Sequence, residues 1–363
     1  MENFKSPRVN TRRLLRAQRL VAMSSDAEPG EPPKQAIKQL DQQVINRIAA
    51  GEVIHRPSSA LKELLENSLD AGALSIAVTA KGGGLKLLQI QDNGCGIHPE
   101  DFGILCERFT TSKLRDFDDL GKIATFGFRG EALSSLCAIS ESVTVHTRCK
   151  EQAIGVKLEY DRDGKLKGRT NAPRDVGTTV TLLGLFTALP VRHKDFLKNK
   201  TREYQRLLRR LQGYALIHSD KRFVCSNQTA KARHNVLTTH GTGKMLDCLT
   251  SIFGAKQKDS VAEVRLECGT KVVIEGLISK GTANTGLSTS DRQFLYLNKR
   301  PVDVPKLSKV FNEVYKSFNT GSAYPIFVLN LTMPFNAYDV NVTPDKRQVG
   351  RMHWQCEVPN PVL

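Results

Sequence analysis

"LKELLENSLDAGA", residues 61–73, decides how this chain is read. A helix turns about 100° per residue, so each position can be set on a wheel. With Glu63 at zero, Asn67 falls at roughly 40°, Asp70 near 340° and Glu66 near 300°. Leu61, Leu64, Leu65, Ser68 and Leu69 cover the other side, the face such a helix lays on a core. Pro57 and Ser58 supply a start signal and Gly72 a stop. Three carboxylates and an amide crowded on one polar face either form a solvated stripe or serve a site. The surrounding segments choose between the two.

The chain has 363 residues, enough for two domains. Its 40% hydrophobic and 25% charged residues are ordinary for a globular protein. No apolar run approaches the roughly 18 residues of a membrane span, and no signal-peptide core opens the chain. No membrane is expected among the partners. The formal net charge of +16 favours a polyanion, nucleic acid before membrane surface. Eight cysteines are scattered without a C-x-x-C pair, so neither a zinc site nor a disulfide framework is indicated. Free thiols in a reducing compartment are the simplest account.

Residues 1–34 read as an unfolded basic arm and linker: "SPRVNTRRLLRAQRL" carries almost no acid, and "SSDAEPGEPPK" follows. Such a start suits an organelle transit peptide, a disordered arm, or an extension ahead of a second start at Met23. From residue 35 the pattern becomes α/β. A helix over 41–50 precedes the opening one, then strands at 74–80 and 85–92 flank the Gly-rich turn "KGGG". "SVTVHTR", "IGVKLEYD" and "GTTVTLLGL" are short alternating strands with one buried face. "VRHKDFLKNKTREYQRLLRRLQGYALIHS" is helical, with Arg202, Arg206, Arg209 and Arg210 outside its apolar stripe. The polar stretch "SNQTAKARHN" marks a domain boundary at 230/231. A smaller α/β domain follows over 231–349, with strands in "KVVIEGLISK", "RQFLYLNKRPV" and "YPIFVLNLTM" and a helix in "KLSKVFNEVYKSF". Residues 350–363 form an irregular tail.

"QDNGCGI" (91–97) ends a strand on an acid, then sets two glycines one residue apart. Such a turn suits a buried carboxylate accepting from an exocyclic amine, with a flat ring close to backbone. "RFTTSK" (108–113) offers two hydroxyls and an amine, groups that bind phosphate or complete a magnesium shell. "FGFRGEALSSLCAIS" (126–140) sets Gly127 and Gly130 around Arg129 and enters a helix near Glu131, aiming free N–H groups at an anion. No Walker A pattern occurs, which excludes a P-loop fold.

E-x-x-x-N on a helix, D-x-G-x-G after a strand, a T/S-K loop and G-F-R-G-E-A-L, in that order, resemble the MutL family of DNA mismatch-repair ATPases. That family shares its ATP-binding superfamily with gyrase B, Hsp90 and bacterial histidine kinases. The resemblance runs from about Ala36 to Val349. It implies an α/β fold of the α+β sandwich kind: a Bergerat-type GHKL ATP-binding domain over 35–230, then a smaller domain like ribosomal S5 domain 2. It implies ATP and Mg2+, with Glu63 as the general base and Asn67 as the metal-holding residue. Asp92 would read adenine beside Gly94 and Gly96. Thr111, Ser112 and Lys113, the loop Gly127, Phe128, Arg129, Gly130, Glu131, Ala132 and Leu133, and Thr178 would complete the nucleotide set. Lys346, in "DVNVTPDKRQV", would reach the γ-phosphate.

Between Arg192 and Arg233 stand 12 Lys and Arg against three acids. That density suits salt-dependent contacts to DNA backbone without sequence readout. Arg192, Lys194, Lys198, Arg202 and Arg209 are the candidates, with Arg292 and Arg300 added by the resemblance. "DQQVINRIAAGEVIHRP" and "CERFTTSK" look like the branch of the common heterodimer subunit, whereas "LPVRHKDF" and "NVTPDKRQV" look like the PMS branch. The resemblance implies a second MutL-homologue subunit and a MutS-type mismatch-recognition complex as partners, and a nuclear location. "GRMHWQCEVPNPVL" reads as a truncated or misread end, so no endonuclease and no constitutive dimer are expected. The alternative to a mismatch-repair ATPase clamp is a non-catalytic fragment that binds DNA or partner subunits.

Overall fold

The chain divides after Asp41. The computed structural model describes residues 38–113, 125–127, 130–229, 232–268, 272–282, 285–319, 324–334, 337–338 and 347. The expected N-terminal arm and the tail 350–363 lie outside them. Residues 38–41 are exposed and belong to no helix or strand.

From Gln42 onward the elements are α1 (Gln42–Val53), α2 (Pro57–Asp70), β1 (Ser75–Lys81), β2 (Leu87–Asp92), α3 (Ala132–Ile139), β3 (Ser142–Arg148), β4 (Val156–Tyr160), β5 (Leu166–Asn171) and β6 (Gly177–Leu183). Helix α2 starts on Pro57, whose missing N–H is one the first turn leaves unpaired anyway. Leu61, Leu64, Leu65 and Leu69 are all buried, as the wheel requires. Each such side chain contributes about 1.5–3 kcal/mol relative to exposure. The basic stretch forms two helices rather than one, α4 (Pro190–Lys198) and α5 (Lys200–Ile217), meeting at Asn199. The hairpin β7 (Arg222–Gln228) and β8 (Arg233–Thr238) follows.

Eight strands form one sheet in the order β5-β4-β3-β6-β2-β1-β7-β8. All its pairs are antiparallel except β1 with β7. Strand β3 shows why one face is buried: Val143, Val145 and Thr147 are inside while Thr144 and His146 are half-exposed. The helices α2, α3 and α5 share the core on that face. The boundary expected at 230/231 lies outside the described residues, between the paired strands β7 and β8, so the large sheet continues past it. "SNQTAKARHN" is polar because β8 is an edge strand with Arg233, His234 and Asn235 exposed.

The second sheet follows α6 (Met245–Phe253) and α7 (Gln257–Ser260). It comprises β9 (Val261–Cys268), β10 (Val272–Ser279), β11 (Gln293–Leu297), β12 (Arg300–Val302) and, after α8 (Pro305–Phe318), β13 (Phe327–Thr332). Its order is β12-β11-β13-β10-β9, with β11 and β13 parallel. One face packs Phe294, Tyr296 and Val328 with Leu249 of α6 and with Leu216 and Ile217 of α5. The other packs Leu295, Leu297 and Leu329 with Leu307 and Phe311 of α8. Covered on both faces, β11 and β13 read as nearly unbroken apolar runs. Helix α5 therefore serves both cores, and Tyr296 Oη donates to its Gly213 carbonyl at 2.7 Å.

Candidate active site

A cavity of about 530 Å³ opens between α2, the loop after β2, the 104–113 segment and the start of α3. Glu63, Asn67 and Asp70 of α2 line it together with Asp92, Gly96 and Thr178. Thr111, Ser112, Lys113, Gly127 and the run Gly130–Leu133 also border it. The expected residues thus converge on one space. Phe128, Arg129 and Lys346 lie outside the described residues. Gly94 is not among the lining residues, but its N–H bonds Asp92, which is.

Asp92 ends β2 and is buried. Its Oδ1 accepts from the N–H groups of Gly94 (2.9 Å) and Thr178 (3.1 Å), and its Oδ2 accepts from Ser68 Oγ (2.8 Å). Burial pushes its carboxyl above the ordinary value, against the pull of those three donors. A buried acceptor held rigidly at a cavity wall is what an exocyclic amine would meet. The glycines have a further task. A Cβ on Gly94 would sit 2.8 Å from Ala71 Cβ, and one on Gly96 (φ +79°) only 2.1 Å from the Arg148 carbonyl oxygen. Both let the loop lie against protein backbone, whatever a ligand does.

On α2 the polar face splits. Asn67 Oδ1 and Asp70 Oδ2 accept from the Lys113 ammonium at 3.0 and 2.6 Å. Asp70 also takes the N–H groups of Phe126 (3.0 Å) and Gly127 (3.2 Å). A Cβ on Gly127 would lie 3.3 Å from that ammonium, so glycine leaves the space clear. Oxygen donors that already hold a positive charge beside open space are a fitting set for a hard cation such as Mg2+. The 108–113 loop is fixed at its start, where Phe109 N–H donates to the Gly130 carbonyl at 3.0 Å. Gly130 (φ +62°) must be glycine, because a Cβ would stand 2.3 Å from the Thr110 carbonyl oxygen.

Glu66 turns away from the cavity. Its Oε2 meets the Lys62 ammonium at 2.7 Å, and its Oε1 accepts from Tyr214 Oη of α5 at 2.6 Å. Lys62 Nζ also donates to Glu63 Oε1 at 2.8 Å. Burial works against this ammonium, yet Glu66 and Glu63 together outweigh it and raise the Lys62 pKa. One buried lysine thus positions Glu63. Sequence reasoning passed over Lys62, although its i,i+4 spacing to Glu66 was visible. Ser68 was placed on the core face by the wheel; its hydroxyl, and that of Tyr214 on α5, bond the two buried carboxylates.

The basic candidates divide. Lys194, Lys198, Arg202 and Arg209 are exposed. Arg192 is half-buried and donates to the Gly51 carbonyl at 2.8 Å. Arg292 lies over the Phe253 ring at 4.8 Å. Arg300, from β12, donates to the carbonyls of Thr125 (3.2 Å) and Phe126 (3.3 Å) and covers the Phe126 ring. That ring also meets Tyr214 and His218 edge-on.

A largely antiparallel sheet, faced by a helix that brings Glu63 and Asn67 to the same cavity as a buried Asp92, is the arrangement of a nucleotide-binding domain of the gyrase B, Hsp90 and histidine-kinase class. The family model "Histidine kinase-, DNA gyrase B-, and HSP90-like ATPase" matches residues 55–172. A second, "DNA mismatch repair protein, C-terminal domain", matches residues 249–358, past the Val349 limit expected for the resemblance. The chain belongs to the MutL/PMS family of DNA mismatch-repair proteins. It is 44% identical over 330 residues to DNA mismatch repair protein PMS1 of Arabidopsis thaliana, covering 90% of this chain and 36% of that protein. It is 41% identical over 346 residues to mismatch repair endonuclease PMS2 of Homo sapiens, covering 90% and 39%. The chain therefore spans little more than a third of these relatives. Among solved structures, the N-terminal domain of a DNA repair protein matches with TM-score 0.76 at 38% identity, over 85% of this chain and 92% of that one. The Aquifex aeolicus MutL ATPase domain complexed with ADP shares the fold, with TM-score 0.56 at 24% identity over 77% and 93%.

Proposed function

We propose that this chain is the ATP-binding, slowly ATP-hydrolysing part of a mismatch-repair clamp. The observation that carries the reading is that Glu63 and Asn67, one turn apart on α2, line the same cavity as the buried Asp92. Asp92 accepts from the adenine amine. Thr111, Ser112 and Lys113 face the phosphates, with the Lys113 ammonium exchanging Asn67 and Asp70 for phosphate oxygens. Magnesium, held through Asn67, supplies positive charge against the phosphates where the carboxylates would repel them. Glu63 takes the proton from the attacking water, a role worth about 10²–10⁴-fold in rate. Turnover is slow because Lys62 occupies a Glu63 oxygen and because Lys346 must reach the γ-phosphate first.

Partners follow from charge and family. The exposed Lys194, Lys198, Arg202 and Arg209 hold DNA by its backbone, and ATP brings the chain against a second MutL-homologue subunit. A MutS-type complex recruits them, in the nucleus.

The test is steady-state ATP hydrolysis with magnesium, wild type beside Glu63→Ala, at two protein concentrations. Turnover that is lost in the variant and rises more than linearly with concentration supports the reading. A protein that binds nucleotide yet turns over no faster than Glu63→Ala sinks it, and leaves a non-catalytic fragment that binds DNA or partner subunits.

A further inference from the structure

The β3–β4 turn approaches the loop after β2 on the rim of the cavity, and there three metal-ligating side chains meet. A ring nitrogen of His98, Sγ of Cys149 and a carboxylate oxygen of Glu151 all lie within 4.8 Å of one another. His98 comes from one segment, Cys149 and Glu151 from the other. No C-x-x-C spacing announces the group, because the fold assembles it from residues about fifty positions apart. We propose that His98, Cys149 and Glu151 form a binding site for a borderline-soft divalent cation of the zinc class.

The donor set makes the chemical choice. Thiolate, imidazole and carboxylate together are zinc ligands, whereas magnesium takes oxygen alone. The site is thus distinct from the oxygen donors Asn67 and Asp70. Metal–ligand bonds of about 2.0–2.3 Å put two tetrahedral ligands roughly 3.5 Å apart. Closing from the present spacing takes inward movement of about 1 Å. The two exposed ligands, His98 and Glu151, have the freedom to make it. With His98 and Glu151 exposed, water would supply a fourth ligand, as in a zinc site that keeps one place open.

The backbones beneath the ligands are already locked together. Ile97 N–H donates to Thr147 Oγ1 at 3.0 Å. Gly96 is pressed on the Arg148 carbonyl so closely that no Cβ fits. Cys149 is buried, its N–H and its thiol both turned to Gln152 Oε1, at 3.0 and 3.2 Å. A cation therefore finds its ligands on a fixed base, and the ordering cost of binding falls on two surface side chains. Binding would release the Cys149 thiol proton to solvent, since the thiolate is the ligand.

The experiment is a Co2+ titration of the whole chain without nucleotide, read by the thiolate-to-cobalt charge-transfer band in the near ultraviolet. A saturable band that Zn2+ displaces and excess Mg2+ does not is the expected result. Cys149→Ser should abolish it, and Cys95→Ser should leave it in place. His98→Ala and Glu151→Gln, both at the surface, keep the test independent of any folding defect in the cysteine variant. Each should weaken Zn2+ binding by roughly tenfold or more, since even outer-shell partners are worth that much. No band, the same band in Cys149→Ser, or Zn2+ affinity unchanged in both surface variants would overturn the site and leave a surface histidine and glutamate beside a buried thiol.

Discussion

Tyr214 Oη donates a 2.6 Å hydrogen bond to Glu66 Oε1 across 148 residues of sequence. It joins α5 to the helix that carries Glu63 and Asn67. With Lys62 on the other oxygen, Glu66 is a buried carboxylate satisfied from both sides.

Tyr214→Phe removes only the hydroxyl and leaves Glu66 Oε1 buried without that donor. A bond to a charged group of this kind is worth about 1–3 kcal/mol. Chemical denaturation should show a loss of that size with an unchanged slope. An unshifted midpoint would mean that the bond contributes nothing.

Asp92→Asn keeps the size of the side chain, and its carbonyl still accepts from Gly94 and Thr178. The new amide donor opposes the donor amine of adenine. ATP affinity should fall by about tenfold or more, while thermal stability changes little. Titration calorimetry separates the two; full affinity would show that Asp92 does not read the base.

His218 is buried beside the Phe126 ring, and burial holds its pKa down to about 4. Asp220 pulls the value up; Lys221 and Lys299 push it further down. In the unfolded chain the same ring titrates near its ordinary pKa of about 6.5. Between those values the unfolded state binds more protons, so stability is full above about pH 6.5 and declines towards pH 4. The decline amounts to at most about 3 kcal/mol. His218→Gln should flatten the change in denaturation midpoint between neutral and mildly acidic buffer. A variant that tracks wild type would exclude His218 as its source.

Lys198 and Arg192 are both basic and should behave oppositely. Lys198→Ala removes an exposed charge, so DNA affinity should drop and its logarithmic salt slope should flatten by about one. Arg192→Ala removes the bond to the Gly51 carbonyl, so stability should fall by about 1 kcal/mol with the slope kept. Anisotropy on a labelled duplex across a salt series, beside denaturation, reads both. Equal slope changes in the two variants would contradict this division.

These contrasts mark where the sequence was legible. The wheel for 61–73 put Leu61, Leu64, Leu65 and Leu69 inside and Glu63 with Asn67 on the cavity, because helical period alone decides those positions. It grouped Glu66 with them, and could not do otherwise. What removes Glu66 is Tyr214, which only the tertiary fold brings near. The arginines meet a related limit. Charge density does not reveal whether a long guanidinium arm reaches water or folds back onto a carbonyl, as Arg192 and Arg300 do. The break at Asn199 carried neither glycine nor proline to announce it.

The peptide strip Thr125–Gly127 is held by two hands. Asp70 grips its N–H groups from the first sheet's helix, and Arg300 grips its carbonyls from the second sheet. Both grips bear on the same three residues. Among the described residues, the smaller sheet therefore meets the border of the cavity at this strap, besides the α5 helix that both sheets share.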